Sequence, residues 1–487
     1  MKNTFAPINR IPEDVLSLIP SYYNTGEELV TLTHICRGWR ERFISCPSLW
    51  TFLDCTNVEQ TRVYLERSKN SPLEICLVEE EDTTFPNDAF LLAVPHLDRV
   101  KSLTLSGSSD GLLEVAKNFD FPALLLEKLN LTFTHPENPI IEVTLPNGNI
   151  SLRELRLSGV AANLTWGNMS KLKTFDLRRV PCDKMSVTQL LNFFERAPLL
   201  RKIRLGNAFP ITSDAPPGRV VSLPHLEYFT IIAQPTHTIL LNHLSIPAGA
   251  RLSQNFNLDD DKSPIPIYLP KTFENLKHVS HLTSINLSFK SGMYMRLEGP
   301  SGTHYMFGNW DGANPSQSSL DRRVLRSLTQ FRILAVERFH IEQCTASSSA
   351  KIEKSPIYLT LLPMKNLHTL TLTRCFNLPF ILSLNPGQNP SRTLVCPKLE
   401  DLVLYITNGT WFCIKELLAM VKERASSGAK LSTITIIGSK EFVSVKEVLK
   451  LREYVSRVEY RLDDVVPDWD DIPADDDSDI TTYESDW

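Results

Sequence analysis

The sequence predicts an α/β chain in which a compact helical segment at the N-terminus is followed by a long array of short parallel strands alternating with helices. Three observations carry that expectation. An apolar residue followed by others at +3 and +5 recurs along the chain, with starts 26, 26, 20, 28, 26, 56, 54, 31, 32, 32 and 24 residues apart. A proline stands two to five residues ahead of several of these triplets (Pro95, Pro122, Pro198, Pro224, Pro363, Pro397), where a helix has to stop before a strand begins. The segments between carry helical periodicity, as in Leu190, Leu191, Phe193 and Phe194, and in Ile414, Leu417, Leu418 and Val421.

The N-terminal segment, from Arg10 to about Asp54, sets its apolar residues at helical spacing. Ile11, Val15, Leu16 and Ile19 share one face, with Pro12 near the first turn, where a missing N–H costs nothing. Asn24-Thr25-Gly26 punctuates the end of that helix. A second stripe of Leu29, Leu32, Ile35, Cys36 and Trp39 predicts one further helix, and Pro47-Ser48-Leu49-Trp50 closes the unit. The stretch from Val58 to Leu77 reads as a linker helix and then the first strand of the array.

The triplets begin at Val100, Leu126, Leu152, Leu172, Leu200, Leu226, Leu282, Val336, Leu367, Leu399, Leu431 and Val455. A three-position match is common by chance in a chain that is 42% apolar, so the weight rests on spacing and flanks. Two gaps are about twice the others, which predicts a masked unit near Leu252 and another between Met295 and Phe307. The residue between the +3 and +5 positions points away from the core, because strand side chains alternate faces. In order, that row is Thr104, Asn130, Arg156, Asp176, Arg204, Thr230, Asn286, His340, Thr371, Val403, Thr435 and Glu459. It is charged early and neutral to apolar late. Val403, with Tyr405 and Ile437 on the same face, is the expected apolar anchor for a captured protein, and Arg156 and Arg204 are expected to steer it. The alternative is that the C-terminal helix near Val445 to Tyr454 covers Val403 and Ile437.

Composition narrows the function. The net charge of −5 conceals an asymmetry, since Leu462 to Trp487 hold eleven acidic residues and no basic one, and the remainder carries 51 basic and 45 acidic residues, a net of +6. That predicts a disordered acidic tail over 463–487. The first ten residues lack the apolar core of a signal peptide and no stretch reaches 18 unbroken apolar residues, so neither secretion nor a membrane partner is expected. Nine cysteines without a Cys-x-x-Cys pair fit a reduced cytoplasmic or nuclear protein with no metal and no cofactor. No Gly-x-Gly-x-x-Gly, Walker or His-Glu-x-x-His motif occurs, His278/His281 read as a surface pair and the Cys344/Cys375 and His340/His368 sets as repeat-core or strand residues, so a non-catalytic chain is expected. The basic clusters at Arg178-Arg179, Arg201-Lys202-x-Arg204 and Arg322-Arg323 lack interleaved aromatics, so no nucleic acid is expected either.

Two segments resemble known families. Arg10-Ile-Pro-Glu-Asp-Val-Leu-Ser-Leu-Ile19, Leu32-Thr-His-Ile-Cys-Arg-Gly-Trp-Arg40 and Pro47-Ser-Leu-Trp50 together resemble an F-box, with Ile11 at the family's usual Leu, Pro12 at its Pro, and Cys36 and Trp39 at its Cys-x-x-Trp. Leu367-His-Thr-Leu-Thr-Leu-Thr-Arg-Cys-Phe-Asn-Leu378 resembles a leucine-rich repeat, with Cys375 at the turn-bonding Asn/Cys position; most other units depart there, with Val160, Val180, Ala208, Lys290 and Thr407. The whole resembles the fungal F-box proteins with degenerate leucine-rich repeats.

The resemblance implies a three-helix F-box over 1–56, a linker helix and first strand over 57–99, and a degenerate leucine-rich-repeat solenoid with a parallel concave sheet over 100–462. It further implies a substrate receptor of an SCF-type ubiquitin ligase, which docks the Skp adaptor, and through it a cullin, by Ile11, Pro12, Val15, Leu16, Ile19, Leu32, Ile35, Cys36, Trp39, Leu49 and Trp50. The repeats would capture a protein substrate. A repeat scaffold without ligase function is the second expectation, an enzyme a distant third, and a non-repeat α/β domain the alternative fold.

Overall fold

A computed structural model describes residues 26–79, 87–107, 125–133, 142–143, 151–162, 169–179, 185–206, 211–212, 214–233, 235–257, 276, 282–289, 293–299, 302–309, 317–329, 333–345, 352–388, 393–406, 414–438 and 445–461. The helix expected around Ile11 to Ile19 and the acidic tail lie outside these residues. The fold is α/β with extensive parallel sheet, and the chain divides into two compact units: Met1–Leu282 with Gly292–Ala313, and Thr283–Ser291 with Asn314–Trp487.

The first unit opens on two short helices, α1 (Gly26–Thr33) and α2 (Arg37–Ser45). The stripe from Leu29 to Trp39 predicted one helix; the chain breaks it instead. The Thr33 hydroxyl donates to the Val30 carbonyl at 2.6 Å and the His34 N–H to that of Thr31 at 3.0 Å, tightening the last turn. Cys36 is extended (φ −160, ψ 164), so α2 starts afresh. Ile35 therefore leaves the stripe and is 57% exposed, while Trp39 and Phe43 bury edge to face at 5.4 Å, with Leu32, Cys36 and Leu49 against them.

Pro47–Trp50 forms a single 3₁₀ turn that drives Trp50 fully into the interior. Its indole Nε1 donates to the Phe43 carbonyl at 2.8 Å, and its ring meets Tyr64 of α3 (Val58–Ser68) at 5.0 Å. Asn57 caps α3 by accepting from the Gln60 N–H.

Strand pairing begins earlier than the sequence suggests. β1 (Phe52–Leu53) already pairs in parallel with β2 (Leu73–Val78), so the sheet starts inside the stretch assigned to the helical segment. A helix α4 (Asn87–Ala93) precedes β3 (Val100–Gly107), and β4 (Lys128–Phe133), β5 (Glu154–Ser158) and β6 (Thr174–Arg178) follow. Helix α5 (Val187–Arg196), held by a capping box between Ser186 and Gln189, leads to β7 (Lys202–Gly206), β8 (Tyr228–Ala233) and β9 (Arg251–Asn257). From β1 to β9 each strand pairs in parallel with the next.

The triplets explain that register. Leu103, Leu129, Leu155, Phe175, Ile203, Phe229 and Leu252 stand opposite one another from strand to strand, and all are buried. A one-residue slip would carry that whole set to the solvent face. Carbonyls ahead of the strands tie successive turns together: that of Arg153 accepts the Lys173 and Thr174 N–H groups, and that of Lys173 accepts those of Arg201 and Lys202. The masked unit near Leu252 is β9.

The stretch from Met295 to Phe307 differs from the expected single parallel unit. After β10 (Ser284–Ser288) of the second unit, β11 (Met293–Gly299) and β12 (Gly302–Asn309) form an antiparallel hairpin, and β12 pairs in parallel with β9.

In the second unit β10 pairs with β13 (Arg338–Glu342), followed by β14 (Thr369–Thr373), β15 (Asp401–Ile406), β16 (Thr433–Gly438) and β17 (Arg457–Arg461), all parallel. Helices α6 (Gln317–Leu328), α7 (Pro356–Leu361), α8 (Leu378–Leu384), α9 (Ile414–Ser426) and α10 (Val445–Arg452) pack in sequence order. Arg424 of α9 is wholly buried and donates to the Val395 and Cys396 carbonyls at 2.8 Å each, anchoring the helix to the loop ahead of β15. Among the described residues no helix is long and apolar enough to cross a membrane.

In both units the chain leaves a strand through the left-handed region, at Gly159 (φ 70), Arg179 (φ 47), Gln343 (φ 53) and Arg374 (φ 52), each seven residues after its triplet begins. Their N–H groups donate to carbonyls at or one residue short of the end of the following strands, those of Arg178, Gly206, Thr373 and Tyr405.

Candidate protein-binding surfaces

Side chains between the buried positions of β4 to β9 share one face of the first unit's sheet, in three rows. One runs Lys128, Glu154, Thr174, Lys202, Tyr228, Arg251; the next Asn130, Arg156, Asp176, Arg204, Thr230, Ser253. The third contains Arg178. Arg156 and Arg204 therefore lie in one row as expected, with Asp176 between them. Arg156 pairs with Glu154 at 2.7 Å, and Arg178 closes a two-pronged bond on Asp176, one prong at 2.8 Å.

Strand alternation splits the basic clusters of the sequence. Lys202 and Arg204 belong to this face, whereas Arg201, one residue out of phase, pairs with Glu227 at 2.9 Å. Arg178 sits on Asp176, while Arg179 occupies the left-handed turn. A feature missed in the sequence is Tyr228: its ring centroid lies 5.0 Å from the Lys202 ammonium and 5.8 Å from the Arg251 guanidinium, both side chains arriving from neighbouring strands.

The second unit presents Asn286, His340, Thr371, Val403, Thr435 and Glu459 in one row. Tyr405 and Ile437 are direct cross-strand partners, and with Val403 they form a half-buried apolar group. Helix α10 packs on α9 and β17. Polar groups surround the row. His340 Nε2 lies 2.9 Å from the Thr373 hydroxyl, and burial pushes its pKa down to about 4. Buried Glu342 accepts from the Ser288 hydroxyl at 2.8 Å. At the last strand Glu459 stands between Arg457 and Arg461, whose hydrogen bond holds its carboxyl below the usual range.

Cys375 sits fully buried, its thiol donating to the Ile341 and Thr373 carbonyls at 3.3 Å each, with burial raising its pKa to about 12. It thus hydrogen-bonds the backbone at the turn, and as a protonated, enclosed thiol it is no nucleophile. His368 lies 3.8 Å from Glu400, both side chains exposed. His278 and His281 lie outside the described residues. Among those described, no cluster of His, Cys, Asp or Glu is suited to a metal ion.

Of the residues assigned to adaptor docking, Ile11, Pro12, Val15, Leu16 and Ile19 lie outside the described residues. Trp39 and Trp50 are buried, Leu32, Cys36 and Leu49 are half-buried, and Ile35 is exposed together with Val30. Trp39 and Trp50 thus build the small core, and among the described residues of this stretch the exposed large apolar side chains are Ile35, Phe52 and Val30. A scan against protein-family models matches none, and a search of curated proteins finds no matching sequence.

Proposed function

We propose that the chain is a substrate receptor of an SCF-type ubiquitin ligase, with an N-terminal F-box that docks the Skp adaptor and a degenerate leucine-rich-repeat solenoid that captures a protein. The observation that supports it best is the order of landmarks ahead of the sheet. Cys36-x-x-Trp39 packs with Phe43, Pro47-x-Leu49-Trp50 locks that pair onto α3, and in-register parallel strands follow directly. Exposed Ile35 and Val30 beside those landmarks suit an apolar partner surface. The chain would be a non-catalytic adaptor of the cytoplasm or nucleus, with ubiquitin transfer performed by an enzyme recruited through the cullin.

The test uses the full chain, because β1 pairs with β2 and a fragment ending at residue 56 would cut that pairing. Wild type should retain recombinant Skp adaptor and co-purify a cullin. Ile11→Ala with Pro12→Ala, and separately Ile35→Asp, should weaken adaptor binding at least about tenfold, as when an apolar anchor is lost. Undiminished binding by both variants would remove the F-box assignment; adaptor binding without any cullin would favour a scaffold.

A further inference from the structure

The geometry points to the solvent face of β4 to β9 as a docking site for an Asp/Glu-rich peptide segment of the captured protein. This deepens the receptor proposal and rests on it. On that face Lys128, Arg156, Arg178, Lys202, Arg204 and Arg251 stand against two carboxylates, Glu154 and Asp176, a surplus of four positive charges in a chain whose net charge is −5. The composition of the chain as a whole does not require such a concentration; strand register creates it.

The arrangement is also patterned for an extended ligand. Lys202, Tyr228 and Arg251 are register partners on three successive strands, which places the two cations about 10 Å apart with the ring between them. The ring's negative face attracts both and offsets their mutual repulsion, so the pair is held in place before any ligand arrives. Arg204 follows Lys202 two residues along the same strand, about 7 Å away, the repeat at which alternate side chains of an extended peptide recur. Glu154 and Asp176 hold Arg156 and Arg178 and reject carboxylates placed out of register.

Nucleic acid fits less well. Single-stranded chains are held on several open aromatic platforms, and among the described side chains on this face of β4 to β9 a single tyrosine is flanked by cations. Carboxylates interleaved with the cations would also repel a continuous line of phosphates.

The test is fluorescence anisotropy on the purified full chain, with a fluorescein-labelled peptide of alternating Asp and Ser, a matching Lys/Ser peptide, and a single-stranded oligonucleotide of similar length. The acidic peptide alone should bind, and binding should weaken at least about tenfold in Lys202→Glu/Arg251→Glu, which alters two exposed side chains. Lys415→Glu/Lys422→Glu, the same charge change on exposed residues of α9, should leave it unaltered. Tyr228→Ala removes no charge and should still weaken binding several-fold, which guards against a trivial loss of net charge. Equal affinity in wild type and Lys202→Glu/Arg251→Glu overturns the inference, as does an oligonucleotide that binds more tightly and is lost with the same substitutions. Adaptor binding is measured on the same wild-type sample. Adaptor bound without peptide sinks this inference alone, whereas adaptor absent sinks the receptor proposal.

Discussion

Trp50 joins the N-terminal helices to the rest of the first unit, and truncating it should loosen both at once. The side chain is fully buried, bonds the Phe43 carbonyl at 2.8 Å, meets Tyr64 edge to face at 5.0 Å, and lies 4.3 Å beneath the Arg67 guanidinium. Trp50→Ala removes the largest fully buried side chain, a change that costs about 3–5 kcal/mol when the site cannot collapse. Trp50→Phe keeps most of the volume and loses the indole bond. Because the Phe43 carbonyl also accepts the Cys46 N–H at 3.3 Å, it is not left bare, so this variant should cost only about 1 kcal/mol. In thermal unfolding followed by circular dichroism, Trp50→Ala should lower the first transition by on the order of 10 °C and Trp50→Phe by a few degrees. Adaptor retention should fall in the same order. A Trp50→Ala protein that melts with wild type would refute the idea that this residue couples the two parts.

Three further outcomes are expected. At Gly159 (φ +70) an added Cβ would lie 2.3 Å from the Phe133 carbonyl oxygen, whereas at Gly428 (φ +80) it would meet nothing within 4 Å; Gly428→Ala should cost about 1 kcal/mol for the left-handed backbone alone, and Gly159→Ala clearly more, as compared by urea unfolding. His340, with a folded pKa near 4 against about 6.5 unfolded, contributes stability that is complete above pH 6.5 and is lost as pH falls toward 4. Allowing for solvent at a half-buried ring, that loss is roughly 2 kcal/mol, so the difference in stability between wild type and His340→Asn should shrink across this window; a pH-independent difference would refute it. Tyr405→Asp with Ile437→Asp should remove co-purified proteins at an unchanged melting temperature if these residues anchor a partner, and a collapsed melting temperature would place them in the core instead.

The parts of the fold legible in the sequence are those where burial repeats at fixed offsets. The +3 and +5 residues face the interior in strand after strand, so a pattern of apolar residues is also a statement of register. The exceptions have local causes. β9 is hidden because wholly buried Gln254 takes the +5 place beside Leu252. Alternation marks Met293, Met295 and Leu297 as strand but carries no direction; the sequence signal for a hairpin is Gly299-Pro300-Ser301-Gly302, a Pro-Ser pair flanked by glycines. The break between α1 and α2 escapes any periodicity argument, since residues on either side of it keep helical spacing while Ile35 alone turns outward.

The same reasoning explains why half of the charged face was visible and half was not. Arg156 and Arg204 follow from alternation within single strands, a property of local sequence. Tyr228 between Lys202 and Arg251 needs three strands to be set side by side, and the third was the one concealed by Gln254. Only the inward positions are constrained by packing, so the outward ones are available to carry recognition at little cost to the fold. Outward changes at Lys202 or Arg251 should therefore separate binding from stability, whereas inward changes at Phe229 or Leu252 should not.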